Sequence, residues 1–302
     1  MTKPALADLE AFAAVARHRS FRRAALERGV SPALLSQTLR RLEGQLGLVL
    51  LRRTTRSVAP TTAGEQLLQQ LSPALEQIRD AVDRVNLHRG SPMGLLRINA
   101  PAPVAQFLLA PLVAEFLRTH PQVEMEITAE AAKIDLVQAG FDAGVRFESD
   151  LDQDVVAVPI GPPQRYAVVA APAYLMNLPP PQVPADLADH ACIRRRFQGG
   201  SLFVWSFYRR GQTVRVEPSG PLTVNDAQIA VNAAVAGLGI AYVHEQYARR
   251  ELHEGALVRL LQDWSPGLGQ PFLYYPRQRY VPAALRAFID FAKARAAVPA
   301  ES

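Results

Sequence analysis

The chain is poor in the features that define several protein classes. Its 302 residues hold one cysteine, Cys192, so no internal disulfide can form. No Cys/His spacing suggests a metal site, and no cofactor is expected. Long apolar runs are missing too. The most apolar stretch, residues 229–243, is broken by Asn232 and is too short to cross a bilayer. The first eight residues carry no apolar core of a signal peptide, so a cytoplasmic protein with no membrane partner is expected. Catalytic signatures are equally scarce. Gly-x-Ser-x-Gly, the phosphate-cradling Gly-x4-Gly-Lys and His-Glu-x-x-His do not occur. Gly237-x-Gly239 lacks a third glycine, and His244-Glu245 lacks a histidine four residues on. The sequence therefore names no catalytic residue, and an enzyme would need a constellation that these patterns do not reveal.

What the chain does have is positive charge gathered at one end. Residues 1–62 contain 11 lysines and arginines against four acids, a net +7, whereas the other 240 residues hold 22 basic and 24 acidic side chains, a net −2. Neutralising phosphate is the usual reason to concentrate arginine in this way, although a well-solvated basic surface would look the same. With 49% hydrophobic and 20% charged residues the composition is that of packed, globular domains, and the length suits about two of them.

The basic segment reads as short helices. Leu6, Leu9, Phe12, Ala13 and Ala16 recur at helical spacing over 5–17. Ser20 is a candidate N-cap for a helix over 21–28, and Gly29 a left-handed stop. Ser31-Pro32 starts a third helix, about 32–46, with serine at the cap and proline at the first position, where its missing N–H costs nothing. Leu35, Leu39, Leu42 and Leu46 form its buried stripe; Ser36, Gln37, Arg40 and Arg41 lie away from it. Three helices with a tight glycine turn before the third make a helix-turn-helix, and small hydrogen-bonding residues with arginine suit a helix in a major groove. Residues 48–62 then read as a β-hairpin wing with Arg52, Arg53 and Arg56 near its tip, placed to reach a minor groove or phosphate.

Residues 62–89 form a long helix on which Leu68, Leu71, Leu75, Ile78, Val82 and Val85 follow gaps of three and four. A seam this narrow, on a helix with no evident core of its own, predicts pairing with a second copy; packing on its own domain is the alternative. Pro73 interrupts the helix and should weaken or kink it. From Gly94 strands and helices alternate, the pattern of an α/β domain. Pro162-Pro163 and residues 264–271 look like two crossings between lobes.

The N-terminal residues resemble those of LysR-type transcriptional regulators. The resemblance rests on Ser20-Phe21, Ala24-Ala25, Ser31, Leu35-Ser36, Leu42-Glu43, Leu46-Gly47, Arg53 and Thr61-Thr62-Ala63-Gly64, in order. Pro32-Ala33-Leu34 departs from the family's usual Gln-Pro-Ala, which removes a common base-reading glutamine. Phe141-Asp142-Ala143-Gly144-Val145-Arg146 and 236–242 are similar to segments of the family's periplasmic-binding-protein-like sensor, with His244 in place of a common proline.

The resemblance implies three parts. Residues 1–61 are a winged helix-turn-helix; 62–90 are a linker and dimerisation helix; 91–302 are an α/β two-lobed effector domain, with lobe I at about 91–162 and 267–302 and lobe II at about 163–266. It implies double-stranded promoter DNA held by Ser31, Pro32, Ala33, Ser36, Gln37, Arg40, Arg41, Arg53, Thr54 and Arg56. It also implies a small-molecule effector of anionic or aromatic character near Pro101, Ala102, Pro103, Val104, Arg146, Phe147, Phe197, Phe203, Asn225 and Asp226, and a homodimer or tetramer. Arg194-Arg195-Arg196 would favour an acidic ligand, or be a solvated run. A ligand-independent DNA-binding repressor is the alternative function.

Overall fold

The computed structural model describes residues 3–53, 58–86, 92–130, 134–176, 178–197, 199–264, 267–277 and 281–296. The chain opens with α1 (Leu6–His18), α2 (Phe21–Glu27) and α3 (Pro32–Leu46). Ser20 and Ser31 each cap the helix that follows, accepting from the backbone N–H groups of Arg23 (3.3 Å) and Leu34 (3.1 Å). Gly47, with φ near +68°, ends α3 in the left-handed conformation. β1 (Leu51–Arg53) and β2 (Val58–Pro60) pair antiparallel, Leu51 opposite Pro60, as the stem of a wing. The wing-tip candidates Thr54 and Arg56 lie outside the described residues.

Next comes α4 (Thr62–Asn86), and its first half departs from the expectation of a seam reserved for a second copy. Leu71 is 7% exposed and sits in the winged-helix core with Phe12, Leu35, Leu39, Leu42 and Leu50; Leu67, Leu68 and Leu75 pack on the same cluster. The helix finds a partner within its own chain because its start is pinned to the wing. Thr61 N–H donates to the carbonyl of Leu50 (2.9 Å), the Thr61 hydroxyl donates to Val49 (2.7 Å), and that hydroxyl accepts from Gly64 N–H (3.0 Å). Gly64 must be glycine here: a Cβ would stand 2.1 Å from the carbonyl oxygen of Leu50. Only beyond this contact does the stripe emerge, with Ile78 44% exposed; the side chains of Val82 and Val85 are outside the described set.

The remainder forms two sheets. The first comprises β3 (Gly94–Ala100), β4 (Val123–Ala129), β5 (Ala143–Phe147), β6 (Val155–Pro159) and a late strand described below, with α5 (Ala102–Val104), α6 (Ala110–Thr119) and α7 (Leu136–Ala139) in its connections. The second comprises β7 (Gln164–Ala170), β8 (Cys192–Arg195), β11 (Thr223–Val224), β12 (Ile240–His244) and β13 (Val258–Leu260), with α8 (Pro172–Leu175), the β9–β10 hairpin (Trp205–Arg209 and Gln212–Val216), α9 (Ala227–Val235) and α10 (Arg249–His253). Then β14 (Gly267–Gly269) pairs β7, β15 (Pro271–Pro276) returns to the first sheet, and α11 (Ala283–Ala296) closes the chain. The strand orders are β4-β3-β5-β15-β6 and β11-β8-β12-β7-β13. Strand pairing thus carries the second lobe to Gly269, three residues past the sequence-based limit, and lobe I resumes at Pro271. No helix among the described residues is long and apolar enough to cross a membrane.

The shared burial of Leu71 has a measurable consequence. Leu71→Ala should lower stability by about 2–5 kcal/mol, independently of protein concentration, because it opens a cavity inside one chain. Ile78→Ala should cost less than about 1 kcal/mol at the level of the single chain. Urea unfolding at two protein concentrations checks both.

Candidate nucleic-acid interface and effector cleft

On α3 the two faces are cleanly separated. Leu35, Leu39 and Leu42 are at most 2% exposed, while Ser31, Pro32, Ala33, Gln37 and Arg40 face solvent and Ser36 is half-buried. Arg40 forms no ion pair among the described residues, so its guanidinium is available to a phosphate or a base edge.

Two other arginines are already engaged. Arg41 grips the buried carboxylate of Asp8 on α1 with two bonds, from Nη2 (2.5 Å) and Nε (3.2 Å). Arg53 donates to Ser36 Oγ (3.0 Å) and to Glu43 (3.3 Å) and lies over the ring of Phe21, 4.7 Å from its centre. Both therefore fix the position of α3 instead of standing free. Glu43 is the hub: one of its oxygens accepts the N–H groups of Leu50 (2.9 Å) and Leu51 (3.1 Å), and the other accepts Arg53. Its carboxylate joins the end of α3 to the first strand of the wing. Neither Asp8 nor Glu43 was read from the sequence as a positioning group, because each looks there like an ordinary polar helix residue.

The DNA-binding domain also touches lobe I. Glu27 at the end of α2 accepts from Arg17 (3.0 Å), from Arg97 on β3 (3.1 Å) and from His18, and Arg97 reaches on to Glu126 of β4 (2.8 Å). Arg17 lies against Gly140, whose φ near +75° and missing Cβ leave room for the guanidinium. A cavity of about 990 Å³ opens beside this contact, lined by Arg17, His18, Arg23, Arg97, Glu126 and Phe141 among others. Arg97 pairs with Glu126 across its wall, and Arg17 and His18 pair with Glu27 beside it, so the opening lies along the contact between the two domains.

The effector candidates divide between the lobes. Pro101, Ala102 and Pro103 lie where β3 turns into α5. Val104 and Phe147, in contrast, belong to the core of lobe I; Val104 is fully buried and offers no surface. Arg146 is buried and donates to Asn99 Oδ1 (2.7 Å) at the same strand ends. Asn99 is itself fully buried, and its Nδ2 has no partner among the described residues. In lobe II, Phe203 and Phe197 stack edge to face, 5.5 Å between centres, while Asn225 and Asp226 immediately precede α9, Asp226 capping it by accepting from Gln228 N–H (2.8 Å) and Ile229 N–H (3.2 Å).

Phe107 and Tyr247 bridge the lobes with rings 4.9 Å apart and nearly perpendicular. The sequence reading missed both. Phe107 stands in a π-helical turn, Ala105–Leu109, where Ala110 N–H reaches back five residues to Ala105. The local cause is Pro111, which has no N–H to give the carbonyl of Phe107. That proline was the available signal.

A helix-turn-helix with a wing, joined by a long helix to two α/β lobes that face each other, defines a transcription regulator with a ligand-binding sensor. The helix-turn-helix of the lysR family of bacterial regulatory proteins matches residues 6–65, and the LysR substrate-binding domain matches residues 89–297. The chain belongs to the LysR family of transcriptional regulators. It is 42% identical to a putative transcriptional regulator of Pseudomonas aeruginosa over 96% of this chain and 95% of that one. It is 38% identical to the HTH-type transcriptional regulator PgrR of Escherichia coli over 99% and 100%. Among solved structures it is similar to the full-length Vibrio cholerae virulence activator AphB, with TM-score 0.66 and 26% identity over 96% of this chain and 99% of that one. The chain is a DNA-binding regulator whose activity a ligand modulates, and not an enzyme.

The junction around Glu27 should respond to acid. Burial raises the Glu27 carboxyl, but the hydrogen bond from His18 and the charges of Arg17 and Arg97 outweigh it and hold the group below its ordinary 4.5. A lowered carboxylate stabilises the folded state fully above 4.5 and loses that contribution as pH falls through the lowered value. Glu27→Gln should therefore be less stable than the wild type at neutral pH, with the difference shrinking as pH falls below 4.5. Chemical denaturation across that range measures it.

Proposed function

We propose that the outward face of α3 reads promoter DNA through Ser31, Pro32, Ala33, Ser36, Gln37 and Arg40, with Arg41 and Arg53 holding the helix in place and Thr54 and Arg56 at the wing tip reaching the backbone or minor groove. The observation that carries this reading is the division of α3: a leucine stripe wholly committed to the core, and opposite it a polar face with an arginine that no charged group among the described residues neutralises. The concentration of net +7 in residues 1–62 supports it.

The same reading makes the working unit a homodimer or a pair of dimers acting in the cytoplasm. Two copies joined along the exposed stretch of α4 that begins at Ile78 would present paired recognition helices to a two-fold site. The effector lies between the lobes, at the carboxyl ends of β3, β5 and β8 and before α9, where open α/β sheets take their ligands. Its binding shifts the balance between lobe arrangements and so alters how the paired helices grip the promoter.

The test is fluorescence anisotropy with promoter fragments that flank the protein's own gene. Arg40→Ala and Gln37→Ala should each weaken binding by about 5- to 150-fold, from 1–3 kcal/mol per lost contact, and Arg40→Ala should lower the salt slope by about one if that side chain meets a phosphate. Unchanged affinity in both variants would remove the proposed face from the interface.

A further inference from the structure

At one end of the second sheet lies a cluster of side chains whose hydrogen-bonding capacity the protein does not use. β8 and β12 run parallel and end at Arg195 and His244, and β7, which pairs antiparallel with β12, begins there at Gln164, just after the chain enters from lobe I. These are the carboxyl ends of β8 and β12, and Asp226 follows the parallel strand β11 at the same edge.

Arg195 is half-buried, with its guanidinium 4.3 Å from the centre of the Phe203 ring and 5.4 Å from that of Phe197. Among the described residues it forms no ion pair, because the carboxylates nearby are committed elsewhere. Glu245 is held by Arg165 (3.0 Å) and Arg259 (3.0 Å), and Asp226 caps α9. A cation partly removed from water and left without a counter-ion is costly unless something else supplies the charge. Its neighbour Arg196, by contrast, donates to the carbonyl of Gly200 (2.6 Å) and is exposed.

Beside Arg195, His244 is 2% exposed. Its Nε2 pairs with Gln164 Oε1 (2.7 Å), so Nε2 donates and Nδ1 is left as a lone pair with no partner among the described residues. Burial holds this ring's pKa down to about 4, so it is neutral at physiological pH and accepts through Nδ1. Flat apolar surface surrounds both groups: Tyr166 packs against Phe203 (5.5 Å) and Tyr242 (4.8 Å), and Phe107 closes from lobe I against Tyr247.

Resting on the cleft reading above, we infer that Arg195 is the charge-selecting group of the sensor, and that the effector is a small aromatic carboxylic acid. Its carboxylate pairs with Arg195, its ring lies on Phe203 and Phe197, and a hydroxyl or amino group serves His244 Nδ1. The pairing is a planar, charge-assisted one that a lysine would reproduce only in part.

The experiment is thermal unfolding of the full chain with about 10 mM 4-hydroxybenzoate, its uncharged analogue 4-hydroxybenzamide, or benzylamine, on the wild type, Arg195→Gln, Arg195→Lys and the neighbouring Arg196→Gln. The acid should raise the midpoint of the wild type and of Arg196→Gln by about 3 °C, with a smaller rise for Arg195→Lys and none for Arg195→Gln. The amide and the amine should do nothing. The inference is overturned if the acid leaves the wild type unmoved, if Arg195→Gln responds as fully as the wild type, or if the amide matches the acid. A response to the amide or amine alone, abolished by Asn225→Ala but not by Arg195→Gln, would leave the cleft as the sensor and remove the acid. Promoter binding, measured on the same samples, stands or falls separately. Arg195→Lys, which retains the charge, separates loss of recognition from loss of folding.

Discussion

One carboxylate, that of Glu43, is shared by two backbone amides and a guanidinium, and the shape of the DNA-binding face depends on that sharing. A short two-stranded wing is too small to hold its own orientation. Here its first strand is tied to the last turn of α3 through Leu50 and Leu51, and its exit is tied to α4 through Thr61. Arg53 closes the arrangement by bonding both Glu43 and Ser36 while resting on Phe21 of α2. Helix-turn-helix, wing and the start of the linker helix therefore behave as one body, and Gln37 and Arg40 project from a rigid support.

That body does not hang free of the sensor. Arg97 of β3 reaches Glu27 of α2, and two residues along the same strand Asn99 holds Arg146 at the cleft. Residues two apart on a strand share a face. A single strand of lobe I thus carries both the contact with the DNA-binding domain and, two residues on, the bond to Arg146. On the proposed effector site, a displacement of β3 relative to β5 would reach α2 through Arg97 and Glu27, in keeping with regulators in which a sensor biases two global arrangements.

Much of this was legible in the sequence where local chemistry decides structure. Ser20, Ser31-Pro32 and Gly29 are caps and a stop with their own geometry, and they placed α2 and the start of α3 correctly. The leucine stripe of α3 needed no tertiary information. The seam of α4 was misjudged because spacing alone does not reveal which surface meets it: Leu68, Leu71 and Leu75 satisfy a heptad and an intrachain core equally well, and the Thr61–Leu50 and Gly64–Leu50 contacts decide for the latter. Arg41 and Arg53 were indistinguishable from free arginines, since their partners lie 33 and 10 residues away in sequence. In the sensor, Arg194-Arg195-Arg196 drew notice as a run, but only the fold shows that Arg195 lies over the Phe203 ring without a counter-ion among the described residues while Arg196 is spent on a turn.

The central claim is that the polar face of α3 lies against bases. The chemistry of Cys192 makes a direct test available, because burial pushes that thiol up to about 11 and leaves it unreactive. A cysteine introduced by Gln37→Cys becomes the one reactive thiol and can carry a photoactivatable crosslinker onto bound promoter DNA. The account predicts adducts on bases at two symmetric positions from that site, and none from Tyr208→Cys on lobe II. DNA bound with full affinity yet never crosslinked from position 37 would contradict it.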